Sequence, residues 1–417
     1  MAITIFERTY QDVRKNHTEG THRLRSPRDT LDAYLPLCSA FGITRLANVT
    51  GLDSLGIPVY QCVRPNARTL AVSQGKGLTR EAAKASALME SIEAWHSEWP
   101  AAPTRFETLP QLARRATVVD VARLPRESRR QVTPDLVLPW LEAYDIARGE
   151  RVWVPHEFVS LNRVYPPGHF PLFQNTSNGL ASGNHLLEAI LHGLCEVIER
   201  DARTLWECNR SDPSRTSSLV ELSTIDDPAC RSVLERFRDA GAVIGVHDMT
   251  SDVGVPCFGC LVVDQTNWIR PLGISGGYGC HPAREIALLR ALTEAAQDRL
   301  TAIAGARDDQ RYADYAARRD TKDAAALIAS FLNHDRGLDF RARASVATAT
   351  FDGDLAVLVD ALRRVGCDSV VVVDLSQEAY GIPVTKVVVP GLEGILGDKP
   401  LILGERGKRV LQRKGLP

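Results

Sequence analysis

Two carboxylates three residues apart, Glu196 and Glu199, stand among Leu194, Val197 and Ile198 in residues 193–201, GLCEVIERD. On a helix that spacing puts both on one face, where like charges repel, and the apolar residues between them read as a buried stripe. Such a pair needs a compensating cation. The pattern recurs: Ala87-Leu-Met-Glu-Ser-Ile-Glu93, Gly193-Leu-Cys-Glu-Val-Ile-Glu199 and Ala291-Leu-Thr-Glu-Ala-Ala-Gln297 all read small-Leu-x-Glu-x-x-Glu/Gln. Self-similarity of this kind marks a repeated structural unit. If the three copies pack around a common centre, Glu90, Glu93, Glu196, Glu199, Glu294 and Gln297 converge, and their oxygens suit a hard divalent cation such as magnesium.

The elements that must position these residues are three helices, each preceded by a glycine-bearing segment: SQGKGLT, SNGLASGNH and SGGYGCHP. Glycine loops leading into helix N-termini present backbone N–H groups and a positive dipole end to phosphates. Carboxylates for the metal and loops for the phosphates together suit a magnesium nucleotide. SQGKGLT is not a P-loop, because Gly77 follows Lys76 where Ser or Thr is required. Two plainer readings compete: a single Glu-x-x-Glu pair is usually a solvated face, and the repeat can be a packing unit without chemistry.

Composition narrows the setting. The chain has 417 residues, 44% hydrophobic and 24% charged, enough for an extended core in one large domain or two or three compact ones. A formal net charge of -1 gives no general attraction to nucleic acid or membrane, and no apolar run is long enough to span a bilayer. Nine cysteines without framework spacing and a first segment lacking an apolar stretch point to a reducing cytoplasm.

In combination, SQGKGLTREAAKASALMESIE, SNGLASGNHLLEAILHGLCEVIERDA, HPAREIALLRALTEAAQDR and DLSQEAYGIPVTKVVVPGLE resemble the YcaO family, ATP-dependent enzymes that activate peptide-backbone amides. The resemblance runs from about residue 23 to 393 and implies ATP and Mg2+ as cofactors. It implies metal ligands at Glu90, Glu93, Glu196 and Glu199, and nucleotide contacts at Ser73, Lys76, Asn184, Glu188, Arg200 and Gln297. Arg200 and Arg299 then neutralise charge on the transferred phosphoryl group. Arg23 and Thr30 correspond to an N-terminal Lys and Ser of the family. Arg and Lys are not interchangeable, so that match keeps the charge but not the geometry.

The chemistry the resemblance implies is O-phosphorylation of an amide, which turns a very poor leaving group into phosphate. Sulfide as nucleophile gives a thioamide; a Cys, Ser or Thr of the substrate gives an azoline. Azoline-forming members end in a PxPxP tail, whereas this chain ends QRKGLP. It is nearer to the members that work beside a TfuA-like partner, so thioamidation of a ribosomally made peptide or protein ranks first. A partner protein or sulfur donor is expected, since no appended peptide-recognition domain is visible, and a homodimer is expected from the family. A non-catalytic nucleotide-binding scaffold is the reading from another class.

Other residues read as structure. Cys257-Phe-Gly-Cys260 alternates like a strand and lacks a second pair at zinc spacing. His192 falls one turn before Glu196 and is a candidate general base, with a hydrogen-bonded structural role as the alternative. Residues 101–150, with Pro and Arg clusters, and 305–345, charged and Ala-rich, read as surface segments where a partner or peptide could dock. Strands alternating with helices indicate an α/β, mixed α+β, fold: one catalytic domain over residues 1–393, built from repeated subdomains, and a C-terminal extension over 394–417.

Overall fold

The computed structural model describes residues 2–127, 130–165, 171–209, 218–264, 272–318, 321–332, 337–394 and 402–413. In chain order the elements that build the site are α1 (Pro27–Tyr34), β1 (Arg45–Asn48), β2 (Val59–Val63), β3 (Val72–Lys76), α2 (Arg80–Glu98), β4 (Thr104–Thr108), β5 (Val137–Asp145), β6 (Glu150–Pro155), β7 (Leu180–Ser182) and α3 (Leu186–Cys208). They continue with α4 (Pro228–Asp239), β8 (Ala242–Asp248), β9 (Cys257–Asp264), β10 (Ile274–Cys280), α5 (Arg284–Ala304), α6 (Thr321–Leu332), α7 (Phe351–Arg364), β11 (Val371–Asp374), β12 (Val384–Val388) and α8 (Glu405–Gln412).

These strands form three sheets, each carrying one repeat helix, and Ile3–Ile5 pairs with Arg8–Tyr10 in a separate two-stranded sheet. The first has order β1-β2-β3 and packs on α2, and the third has order β8-β9-β10 and packs on α5. The second has order β4-β5-β11-β12-β7 with β6 also on β5, and its β12 and β7 pack on α3. All pairings between these strands are antiparallel, so the architecture is mixed α+β.

The three units close into a ring. Helix α2 touches its own β3 and also β7 of the second unit; α3 touches β10 of the third; α5 touches β3 of the first. Each repeat helix is thus wedged between its own sheet and the next unit's strand, and one face of all three turns toward a common centre.

Some of the glycines before the helices act differently from the phosphate-binding loops expected of them. Gly75 lies in β3 and Gly277 and Gly279 in β10, inside strands. A Cβ on Gly75 would stand 2.0 Å from Ala87 N, one on Gly277 would stand 2.2 Å from Ala291 O, and one on Gly279 would stand 2.1 Å from Ala287 O. Strand and helix backbones are in direct contact, which only glycine facing alanine permits. In the second unit the glycine has moved onto the helix: a Cβ on Gly193 would stand 2.6 Å from Gly179 O. The small residue opening each repeat therefore serves packing, and the Glu three positions on serves the centre.

Two segments expected at the surface are structural. Residues 101–150 supply β4 and β5, with Trp140, Leu141 and Ala143 fully buried. Within 305–345, α6 packs on β8, where Gly245 makes room for the Phe331 ring. The described part of the C-terminal segment is docked as well. Helix α8 packs on α3, and buried Arg406 pairs with Asp201 at 2.9 Å. The final residues, 414–417, lie outside the described ones. Among the described residues no helix is long and apolar enough to cross a membrane.

Candidate active site

The repeat faces of α2, α3 and α5 line one cavity of about 1070 Å3 at the centre of the ring. Helix α2 begins where Thr79 caps Ala82 N, and it turns Ser86, Met89, Glu90 and Glu93 inward. On α3, capped by His185, residues one turn apart form a polar stripe: Glu188, His192, Glu196, Glu199, Arg200 and Arg203. On α5 the stripe is Arg290, Thr293, Glu294, Gln297, Asp298 and Thr301. This is the period of 3.6 with its polar face turned into the protein, enclosed by apolar cores on the other sides.

The two acids of a repeat differ in role. The second is clamped by the last residue of the next unit's strand: Glu93 Oε1 accepts from Ser182 N at 2.8 Å and from its Oγ at 2.6 Å, and Glu199 Oε2 accepts from Cys280 N at 3.0 Å. The first acid faces the cavity. Glu294 receives Lys76 Nζ at 2.8 Å; burial works against its charge, but Lys76 and Arg200 hold its carboxyl down at about 2. Glu90 and Glu196 are less well compensated. Burial raises Glu90, against the pull of Lys76, and pushes Glu196 up to about 7 despite Arg200. Burial also pushes Glu93 up to about 8, against its bonds from Ser182. The centre is acidic and short of cations.

Cationic groups stand around this acidic floor. Arg200 pairs with Glu199 at 2.8 Å, yet its Nε is buried without a partner, and so is that of Arg290. Arg290 donates to His192 Nε2 at 3.0 Å and Arg23 lies 3.5 Å from His192 Nδ1. Burial first, then Arg290 and Arg23, hold His192 well below the usual imidazole range. A neutral imidazole has one acceptor nitrogen, and with Arg290 occupying it His192 is not free to act as a base.

Sequence-predicted residues fall in two groups. Arg23, Thr30, Ser73, Lys76, Glu90, Glu93, Asn184, Glu188, Glu196, Glu199, Arg200 and Gln297 all line the cavity. Glu188 is 2% exposed and accepts from Leu24 N at 2.8 Å and from Arg23 at 3.3 Å, so it fastens the N-terminal segment to α3. Asn184 Nδ2 donates to Thr30 Oγ1 at 3.0 Å, and Thr30 donates to Ser26 O at 2.9 Å. Arg299 is the exception. Two positions from Gln297, it points to the far side of α5, 3% exposed, bonded to Asp53 at 2.9 and 3.0 Å and to Asp264 at 2.6 Å. It is the buried ion pair joining the first and third units, not a cavity residue.

Sequence reasoning passed over Arg290, Arg203, Asp298 and Lys386. The first three were legible as the i, i+4 continuations of stripes already marked. Lys386 was legible in another way: a lone lysine in the β-branched run VTKVVV cannot sit on a solvated face. It is 1% exposed, and burial pushes its ammonium down to about 8 against the pull of Glu196. Cys257 and Cys260, three apart on β9, face opposite sides of the sheet and enter different cores, so they share no ligand.

The donor set fits a nucleotide's polyphosphate with a divalent ion. Gln297 Oε1 is a buried oxygen without a partner, suited to a cation, while the unpartnered Nε–H groups of Arg200 and Arg290 suit phosphate oxygens. Among the described residues no three His, Cys, Asp or Glu side chains are grouped closely enough to hold a metal alone. That agrees with Mg2+, which keeps water and takes phosphate oxygens beside one or two carboxylates.

Comparison with known proteins carries the rest. The sequence family described as YcaO cyclodehydratase, ATP- and Mg2+-binding, matches residues 74–393. An uncharacterized protein in the tfuA 3′ region of Rhizobium leguminosarum bv. trifolii is 36% identical over 94% of this chain and 93% of its own. Two solved structures share the fold: a heterocyclase in complex with substrate and cofactor, TM-score 0.79 at 22% identity, and YcaO from Methanopyrus kandleri bound with AMPPCP and Mg2+, TM-score 0.73 at 23% identity. The first similarity covers 97% of this chain but 56% of the heterocyclase chain; the second covers 93% of this chain and 99% of the other. A chain whose sequence matches that family across most of its length, and whose three acidic helices close around one cavity, belongs to the YcaO family of ATP- and Mg2+-binding proteins.

Proposed function

We propose that this protein uses ATP and Mg2+ to O-phosphorylate a peptide-backbone amide, and that sulfide then displaces the phosphate to give a thioamide. The observation that carries the reading is the cavity itself, where carboxylates from three helices face arginine N–H groups with no partner. ATP supplies the phosphoryl group, and Mg2+ offsets the charge of the phosphates and of the acidic floor.

The chain's own residues divide the work. Glu90, Glu93, Glu196 and Glu199 are the carboxylates available to the metal, which would take one or two of them beside phosphate oxygens, with Gln297 offering a neutral oxygen. Arg200 and Arg290 can each give a free N–H to phosphate, and Lys76, now on Glu294, is within the same cavity. These groups stabilise charge in place, in a setting where water is largely replaced by fixed dipoles. In the step that follows, the amide carbon gains a bond to sulfur and loses the carbon–oxygen bond, and that oxygen leaves as part of phosphate. No protein nucleophile is required, and His192 is not assigned as a base.

Thioamidation is placed before azoline formation on one support, the relative in the tfuA 3′ region. A TfuA-like partner and a sulfur donor belong to the same reading. The fold shared with a heterocyclase supports azoline formation as the second reading. Intact masses of peptides or proteins from cells with and without the gene separate them. A gain of about 16 Da reports sulfur for oxygen, a loss of about 18 Da reports ring closure, and no change in any substrate favours a scaffold.

A further inference from the structure

Lys386 lies outside the cavity lining, yet it connects to two of its carboxylates. It sits at the middle of β12, 1% exposed, and its Nζ donates to Thr176 O at 2.6 Å. Phe158 packs beneath the ammonium, 5.9 Å from ring centre to Nζ. A buried ammonium with one neutral hydrogen-bond partner is costly unless it does something an apolar residue of the same length could not.

Register shows what that is. In the β12–β7 pairing Lys386 stands opposite Leu180. Its backbone therefore faces one end of the 176–180 turn while its side chain holds the other end. Ser177 and Leu180 of this turn line the cavity, and two residues further on Ser182 gives both of its donors to Glu93 Oε1. Glu196, on a different helix, is the charged group that acts on the ammonium. One lysine thus stands behind the acids of both α2 and α3.

We propose that Lys386 is a positioning residue of the acidic centre: by fastening the 176–180 turn it sets Ser182, and through Ser182 it holds Glu93 in place for the divalent ion. This rests on the cavity being a magnesium–nucleotide site. A role through Ser182 differs in sign from simple electrostatics, since removing a nearby positive charge would tighten cation binding rather than loosen it.

The test is Mn2+ binding to the full chain, followed by electron paramagnetic resonance with a non-hydrolysable ATP analogue, for wild type, Lys386→Met, Ser182→Ala and the double variant. Groups that orient metal ligands are worth about 10- to 100-fold in affinity. Lys386→Met is expected to weaken Mn2+ about 10-fold or more, Ser182→Ala similarly, and the double variant no further than the weaker single one. Melting temperature is measured alongside. Met removes a buried charge, so a folded variant with unchanged or higher Tm is expected, and Lys386→Gln replaces it if Met does not fold. Unchanged affinity, tighter binding or additive losses in a folded variant would each overturn the proposal. A wild-type chain that binds no Mn2+ with the analogue would instead remove the reading of the cavity.

Discussion

At the scale of residues, the three copies of Glu-x-x-Glu/Gln were the most legible part of the site, because a 3.6-residue period survives in sequence as a spacing. Direction was harder to read. Glu90 and Glu93, Glu196 and Glu199 read as equivalent ligands, yet the second of each pair is bound by a backbone N–H from a strand that lies far away in sequence. Arg299 shows the same limit. It is two residues beyond Gln297, a step of 200° around the helix, and the partners that claim it, Asp53 and Asp264, sit in segments that carried no motif. Two substitutions separate these roles. Arg200→Gln should lower kcat about 100- to 1000-fold, the usual cost of one charge-stabilising donor, and cost less stability than loss of Arg299, because Glu199 keeps its bond from Cys280 N. Arg299→Met leaves two buried aspartates unpaired and should cost about 3 to 5 kcal/mol of stability. Denaturant melts beside single-turnover rates will tell them apart, and equal stability for both variants would contradict the assignment.

At the scale of elements, the glycine-bearing segments hold two kinds of glycine: Gly77, Gly183 and Gly276 line the cavity, while Gly75, Gly277 and Gly279 pack strand on helix. Glycine before a helix reads as a phosphate loop when only local geometry is considered. The second kind serves contact between a strand and a helix backbone, and the evidence in sequence was the alanine spacing opposite it: Ala83 and Ala87 facing Gly75, and Ala287, Ala291 and Ala295 facing Gly277 and Gly279. Gly75→Ala should therefore destabilise the fold by at least about 3 kcal/mol through overpacking. Gly149→Ala, at a turn with φ of 74° and open space around it, should cost about 1 kcal/mol. Chemical denaturation of both checks the contrast.

A second element-scale prediction concerns the contact between the N-terminal segment and the start of α5. The His22 and His281 rings meet edge to face with centroids 5.0 Å apart. Burial first, then Lys15, lowers His22 to about 4, and burial with His22 and Arg290 holds His281 well below the usual range. The unfolded chain takes up these protons near pH 6.5 and the folded chain refuses them until about pH 4, so the unfolded state binds more protons in that window and stability falls as pH falls through it. The raised carboxyls of Glu93 and Glu196 act in the opposite sense, so the effect is read as a difference: from pH 6.5 toward 4, wild type should lose melting temperature relative to His22→Asn. Parallel curves would contradict this.

At the scale of the whole molecule, the alternation of strands and helices gave mixed α+β with repeated subdomains, but not the ring. No sequence spacing says that α2 meets β7, α3 meets β10 and α5 meets β3. At two of them a strand end caps the neighbour's acid, Ser182 on Glu93 and Cys280 on Glu199. The ring makes the cavity depend on distant parts of the chain: α2 and α3 borrow their clamps from other units, and the C-terminal α8 locks α3 from behind through Arg406 and Asp201. Segments 101–150 and 305–345 read as surface because Pro, Arg and Ala dominate their composition, which hid the buried run Leu138–Asp145 in the first and buried Phe331 in the second.

The central claim is that the amide oxygen itself receives the phosphoryl group. A substrate carrying heavy oxygen at the modified carbonyl, turned over with ATP, Mg2+ and the sulfur source, tests it through the mass of the inorganic phosphate released. One labelled oxygen in phosphate is expected for each product formed, whichever nucleophile follows. Label left in the peptide or lost to water, with unlabelled phosphate, would contradict it.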